Sequence, residues 1–81
     1  MSRKLLRHKR GGSIDWLAVG RRVRELRGFD LTQADFARRI GVSQSYLSAI
    51  ELGRNEAGAE VLLSISREFG RTIEWLLTGK G

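Results

Sequence analysis

Apolar side chains recur along this chain at intervals of three or four residues, the spacing that places them on one face of an α-helix. The first such stretch carries three of them on a common face: Val19, Val23 and Leu26. Ser13 precedes this stretch as a candidate N-cap, and Gly28 follows it as a candidate C-terminal stop. The pattern therefore predicts a first helix over residues 14–27.

Four further stretches keep the helical spacing. Thr32, Ser43 and Thr72 are candidate N-caps of the second, third and fifth helices, and the fourth helix is predicted over residues 59–69. The glycines that end the second, third and fourth helices are Gly41, Gly53 and Gly70. The side chains expected to face inward are Phe36, Ala37, Ile40, Leu47, Ile50, Leu62, Ile65 and Phe69. No stretch alternates with a period of two, so the sequence predicts an all-α fold, a compact five-helix bundle.

The residue inventory excludes most kinds of catalytic site. The 81 residues include no cysteine and a single histidine, His8. A disulfide, a thiolate metal site and a histidine zinc site are therefore excluded. No nucleophile–base pair and no glycine-rich phosphate loop can be assembled from the other residues. We expect no enzyme, no cofactor, no metal and no small-molecule substrate.

The chain also lacks the apolar runs that membranes require. No run approaches the roughly 18 residues of a membrane span. The basic start of the chain is not followed by the apolar stretch of about 7 or more residues that a signal peptide needs. These patterns predict a cytoplasmic protein with no membrane partner.

The positive charge is concentrated at one end of the chain. The formal net charge is +6, and residues 1–12 hold five basic residues and no acid, which leaves ten basic and nine acidic residues in the remainder. The chain therefore divides into a basic N-terminal arm, residues 1–13, and a nearly neutral domain, residues 14–79. A polycation attached to such a domain attracts a polyanion.

The second and third predicted helices are joined by a tight corner, Gly41-Val42-Ser43. Two short helices joined in this way form a helix-turn-helix, in which the first helix crosses the DNA backbone and the second enters the major groove. The second of these helices begins with short polar side chains and keeps its apolar ones on the opposite face. The residues expected to leave room for base edges are Gln44, Ser45, Ser48 and Ala49, and Leu47 and Ile50 face away from them into the core.

Several segments, in order and with the right gaps, carry a resemblance to a known family. They are Val19 to Arg27, Leu31-Thr32-Gln33, Phe36-Ala37, Gly41-Val42-Ser43, Ser48, Ile50-Glu51, Gly53-Arg54 and Glu74 to Gly79. On these segments residues 14–79 resemble the phage-repressor/Cro-like (XRE-type) helix-turn-helix family. The chain departs from the family at Ala57-Gly58, where Pro-Ser is common, at Arg71, where an apolar residue is usual, and in a shorter Gly28-Phe29-Asp30 turn.

The resemblance implies a set of DNA-binding residues. Gln33 corresponds to a residue that bonds a phosphate and braces the recognition helix, which is the third predicted helix. Gln44 corresponds to one that pairs bidentately with adenine. Ser45 and Ala49 lie where relatives place base contacts. Tyr46 and Ser48 are expected to contact phosphates or bases, and Arg54 is expected to lie beside the DNA backbone.

The function implied is that of a sequence-specific, double-stranded-DNA-binding transcriptional regulator, with a repressor as the favoured form. We expect it to act as a homodimer on a palindromic operator and to be associated with the nucleoid when bound. The last helix is the expected dimer surface, because Ile73, Trp75, Leu76 and Leu77 cannot all face inward from one helix. The alternative is a protein-interaction module of the same fold, an antitoxin partner or a coactivator bridge.

Most polar candidates also have a purely structural interpretation. Gln33 and Gln44 would then be solvated helix-start residues, and Glu51 an ion-pair partner rather than a base reader. Arg38 and Arg39 form a solvated face or pair with Glu51, in preference to contacting DNA. Three arginines of the first helix either pair with Glu25 or Glu68 or contact phosphates: Arg21, Arg22 and Arg24.

The basic arm has three interpretations: a DNA arm, a disordered solubilising end or expression remnant, and a membrane-surface helix. The last is less favoured because two leucines bury little apolar area.

For a DNA arm, we predict that deleting residues 1–12 weakens binding to all duplexes alike and reduces the salt dependence of binding, because five of the six net charges are removed. The folded domain should remain intact. The measurement is the slope of log affinity against log salt, and an unchanged slope would place the arm away from DNA.

Overall fold

The computed structural model describes residues 13–81, and the basic residues of the predicted arm, 1–12, lie outside the described residues. Residues 13–81 form five helices and no strand, which confirms the all-α prediction. The helices are α1 (Trp16–Arg27), α2 (Gln33–Ile40), α3 (Gln44–Glu51), α4 (Ala59–Phe69) and α5 (Ile73–Thr78). None of these helices has both the length and the apolar character needed to cross a membrane.

Helix α1 begins two residues later than the sequence pattern predicts. Its N-cap is Asp15, whose carboxylate accepts a hydrogen bond from the Ala18 amide at 3.1 Å. The prediction of Ser13 as the cap of a helix from Ile14 is therefore wrong. The physical reason is that Asp15 is also a strong N-cap residue, and its negative charge is favoured at the positive end of the helix dipole.

The two helices of the helix-turn-helix have the predicted caps. Thr32 Oγ1 accepts from the Asp35 amide at 3.0 Å, and Ser43 Oγ accepts from the Tyr46 amide at 3.1 Å. Gly41 ends α2 in the left-handed region, with a φ of 80°. The amides of residues 41 and 42 bond back to the carbonyls of residues 38 and 37, a Schellman motif. This closed corner sets the angle between α2 and α3.

Every helix contributes to one apolar core. The ring of Phe36 stacks on that of Phe69, with centroids 4.5 Å apart, so α2 is packed directly on α4. Phe69 itself is half-buried. Leu26 is likewise half-buried, against the core, while the other side chains predicted to face inward from α1 to α4 are buried in it, and α5 adds Leu76. The buried members are Val19, Val23, Phe36, Ala37, Ile40, Leu47, Ile50, Ala57, Leu62, Ile65 and Leu76.

Helix α1 crosses the end of α3 at backbone contact, and this approach requires a glycine. A Cβ atom on Gly20 would lie 2.3 Å from the carbonyl oxygen of Ile50 and 2.8 Å from that of Glu51. Neither oxygen belongs to a flexible side chain that could move aside. The absence of a side chain at Gly20 therefore allows the last turn of α3 to lie directly beside α1.

The departures from the family pattern leave α4 and α5 packed. Gly58 precedes α4 with extended backbone and no side-chain cap, yet the helix forms. The Arg71 guanidinium covers the Trp75 ring at 3.7 Å.

Arg22 connects α1 to α5. Its Nη1 atom donates to the carbonyl of Leu76 at 2.9 Å, so the predicted pairing of Arg22 with Glu25 or Glu68 is wrong. The reason is that the last carbonyls of a helix have no partner within it.

Candidate nucleic-acid interface

The N-termini of α2 and α3 bring two of the predicted site residues together. Gln33 is the first residue of α2 and Gln44 the first of α3. The Nε2 atom of Gln44 donates to Oε1 of Gln33 at 3.3 Å. Gln44 is exposed and Gln33 half-buried, so the pair has one member at the surface and one beneath it.

The other predicted site residues lie along α3 and just after it. Ser45 is exposed at the start of the helix, and Ser48 and Ala49 are half-buried one turn later. Tyr46 is half-buried and packs against the core. Arg54 is exposed, three residues past the end of the helix. The side chains at residues 45, 48 and 49 are short, so they project little from the backbone of α3.

A buried ion pair lies directly beneath this surface. Arg27 donates to Glu51 through two bonds, Nε to Oε2 at 2.9 Å and Nη2 to Oε1 at 2.8 Å. The two side chains are 17% and 5% exposed. The hydrogen bond to Glu51, helped by the negative charge of that carboxylate and opposed by burial, raises the pKa of Arg27 above its ordinary value. A bidentate pair of this kind holds both charged groups in one geometry.

The structure confirms that Glu51 is an ion-pair partner, but the predicted partners are wrong. Arg38 bonds to Asp35, one turn before it in α2. Arg39 lies 3.4 Å from Glu68 and over the Phe69 ring. Arg27 takes the position beside Glu51 because the close approach at Gly20 brings α1 against the last turn of α3.

The ion pair extends to the surface through the two glutamines. Gln33 Nε2 donates to Oε1 of Glu51 at 3.1 Å. Because a carboxylate only accepts, Gln33 must turn its amide nitrogen towards Glu51 and its oxygen towards Gln44. Gln44 must then turn its nitrogen towards Gln33. The glutamine relay, which we define as Arg27, Glu51, Gln33 and Gln44, therefore sets the orientation of an exposed amide from a buried charge.

Sequence reasoning missed Arg27 as a member of the site. Arg27 was visible only as the last residue before the Gly28 turn, and its partner lies 24 residues further along the chain. No local spacing links the two. Within residues 13–81 no ion pair involves Arg21 or Arg24, which are both exposed, and no three acidic or histidine side chains gather as a metal site would.

The comparisons with known proteins identify the family. The sequence model of the helix-turn-helix family matches residues 21–76. Over 65 residues the chain is 38% identical to the propionyl-CoA carboxylase regulator of Cereibacter sphaeroides, a match that covers 79% of this chain and 14% of that protein. The chain thus spans a small part of the length of this relative.

Two solved structures share the arrangement of the helices. The P22 c2 repressor, in complex with a synthetic operator, is 30% identical, with a TM-score of 0.71, and the match covers 76% of this chain and 96% of that one. The restriction-modification controller protein C.AhdI from Aeromonas hydrophila is 26% identical, with a TM-score of 0.70 and coverage of 78% and 97%. Both are similar to this chain over nearly their whole length.

We predict that Glu51→Ala lowers the free energy of unfolding by about 3 kcal/mol, because it leaves the largely buried guanidinium of Arg27 without a counter-charge. Gln33 loses its acceptor at the same time. The matched control is Glu68→Ala, which removes an exposed partner of Arg39 and should change stability by less than about 1 kcal/mol. Urea denaturation measures both. Equal, small losses in the two variants would contradict a structural role for the buried pair.

Proposed function

The chain belongs to the helix-turn-helix family of transcriptional regulators, and on that premise we propose that it binds double-stranded DNA sequence-specifically by inserting α3 into the major groove. The observation that carries this proposal is the amide of Gln44, which is exposed at the start of α3 and oriented from below by the glutamine relay. The similarity to the P22 c2 repressor, solved with a synthetic operator, supports the same class of partner.

The surface of α3 is suited to the groove. The major groove is about 12 Å wide, which is close to the diameter of a helix with its side chains. Ser45, Ser48 and Ala49 project little beyond the backbone, so the helix axis can come close to the base edges. We assign base contacts to these three residues and to Gln44.

The relay leaves the Gln44 amide with the polarity that adenine requires. One amide hydrogen is given to Gln33, so the oxygen and the second hydrogen of Gln44 remain for a ligand. Adenine presents a donor at N6 and an acceptor at N7 in the major groove, which these two groups complement. The second amide hydrogen of Gln33, at the positive end of α2, is available for a phosphate.

We predict that Gln44→Ala weakens binding to a selected operator by about 1–3 kcal/mol and relaxes base preference at one position per half-site. The measurement is competition among operators that vary base by base, selected first from a random duplex library. Arg67→Ala, an exposed change on α4, should leave the preference profile as it is. An unaltered profile in Gln44→Ala would remove this residue from the reading surface.

Two copies of the chain are needed to recognise a DNA site long enough to be specific. One two-turn recognition helix reads only a few base pairs, whereas two helices related by a two-fold axis read two half-sites about 34 Å apart. In α5, Leu76 is buried while Ile73, Trp75 and Leu77 remain half-buried, so apolar surface is left on this helix. We therefore propose a homodimer that contacts itself through α5 and binds a palindromic operator.

For this dimer, sedimentation of the protein with its selected operator should give two chains per duplex at saturation, because each half-site takes one recognition helix. The footprint should be symmetric about the centre of the operator. A single chain per duplex at saturating protein, with an asymmetric footprint, would exclude the dimer and leave DNA binding itself in place.

A further inference from the structure

We propose that Tyr46 acts as a positioning residue whose hydroxyl fixes the α3–α4 loop, residues 52–58, and through that loop Arg54, to which we assign a phosphate contact. This inference rests on the proposed function. It replaces the expectation, implied by the family resemblance, that Tyr46 itself contacts a base or a phosphate. The hydrogen bond from Tyr46 to the loop carries the argument.

The α3–α4 loop is held at both ends by bonds and burial. At its start, the amides of Arg54 and Asn55 both donate to the carbonyl of Ala49, at 2.9 and 3.4 Å. Gly53 makes this reversal with a φ of 74°, a conformation that favours glycine. At its far end, Ala57 is buried in the core.

Between these two anchors lies Glu56, and Tyr46 ties it to α3. The Tyr46 hydroxyl donates to the carbonyl oxygen of Glu56 at 3.3 Å. This bond joins a side chain of α3 to the backbone of the loop. The ring of Tyr46 packs against the core, so the hydroxyl is presented from a fixed base. The tie therefore couples the recognition helix to the middle of the loop.

The same bond argues against direct DNA contact by Tyr46. A tyrosine hydroxyl has one hydrogen to donate, and here it is given to Glu56. A phosphate oxygen only accepts, so a bond from Tyr46 to phosphate would require the bond to Glu56 to break. Arg54, in contrast, is exposed, and its guanidinium has five N–H donors for an anion.

The position of the loop matters because Arg54 lies in it, three residues past the end of α3. When the backbone at residue 54 is held in place, the guanidinium has fewer conformations to lose on binding a phosphate. Phosphate contacts carry no base information, so loosening the loop should weaken binding to every duplex to a similar degree. A base contact by Tyr46 would instead change the preference among operators.

The test is a double-mutant cycle in the full chain with Tyr46→Phe and Arg54→Ala. Tyr46→Phe keeps the ring and removes the tie, so we expect roughly 3- to 10-fold weaker binding to both a selected operator and a random duplex, with an unchanged base-preference profile. In the Arg54→Ala background the same change should have little further effect. Ser45→Ala, a hydroxyl deletion on the same helix, should act independently of Arg54.

Hydrogen exchange reports on the tie without DNA. The amides of Arg54 and Asn55 should exchange several-fold faster in Tyr46→Phe than in the wild type, while the amides inside α4 keep their rates. Unchanged affinity in Tyr46→Phe, an altered base preference, or a loss that adds fully to that of Arg54→Ala would each overturn the inference. A wild-type chain that binds no duplex would overturn the proposed function as well, which distinguishes the two failures.

Discussion

The bidentate ion pair between Arg27 and Glu51 lies where the end of α1, the end of α3 and the start of α2 meet. Two charges removed from water at this junction are stable only while each keeps the other in hydrogen-bonding geometry. A sliding or rotation of α1 against α3 would leave a buried charge unpaired. The pair therefore penalises arrangements of the three helices that separate Arg27 from Glu51, and apolar packing alone would be less selective.

The proposed DNA-reading surface is built outward from this constraint. Gln33 bonds to the buried carboxylate, and Gln44 bonds to Gln33, so an exposed amide takes its orientation from a charge in the interior. A side chain held in one orientation loses little entropy when it binds. The same principle governs the other end of α3, where the Tyr46 hydroxyl and the Ala49 carbonyl hold the loop that carries Arg54. Side chains near both ends of α3 are thus held by hydrogen bonds within the protein.

Helices α4 and α5 support this arrangement from behind. The stack of Phe36 on Phe69 packs α4 against α2, and the bond from Arg22 to the Leu76 carbonyl connects α5 to α1. Helix α1 consequently contacts both α3 and α5, the helix that we propose as the dimer surface.

The sequence by itself determined the features that depend on near neighbours. Thr32 and Ser43 cap their helices by bonding amides three residues away. Gly41 ends α2 through its own left-handed backbone conformation, which also depends only on neighbouring residues. The inward-facing residues followed from the helical repeat, whereas the roles expected of Gln33 and Gln44 came from the family resemblance. Even here a local competition misled the prediction, since Asp15 rather than Ser13 caps α1.

Only the tertiary structure decided the partners that are distant in sequence. Arg27 pairs with Glu51 across 24 residues, in preference to the nearer Arg38 and Arg39, because the bare backbone of Gly20 lets α1 touch the last turn of α3. The hydroxyl of Tyr46 likewise meets a carbonyl ten residues away. Residue spacing specifies which side chains share the face of one helix. The distance between the faces of two different helices is set by packing, and it is this distance that brought these partners into contact.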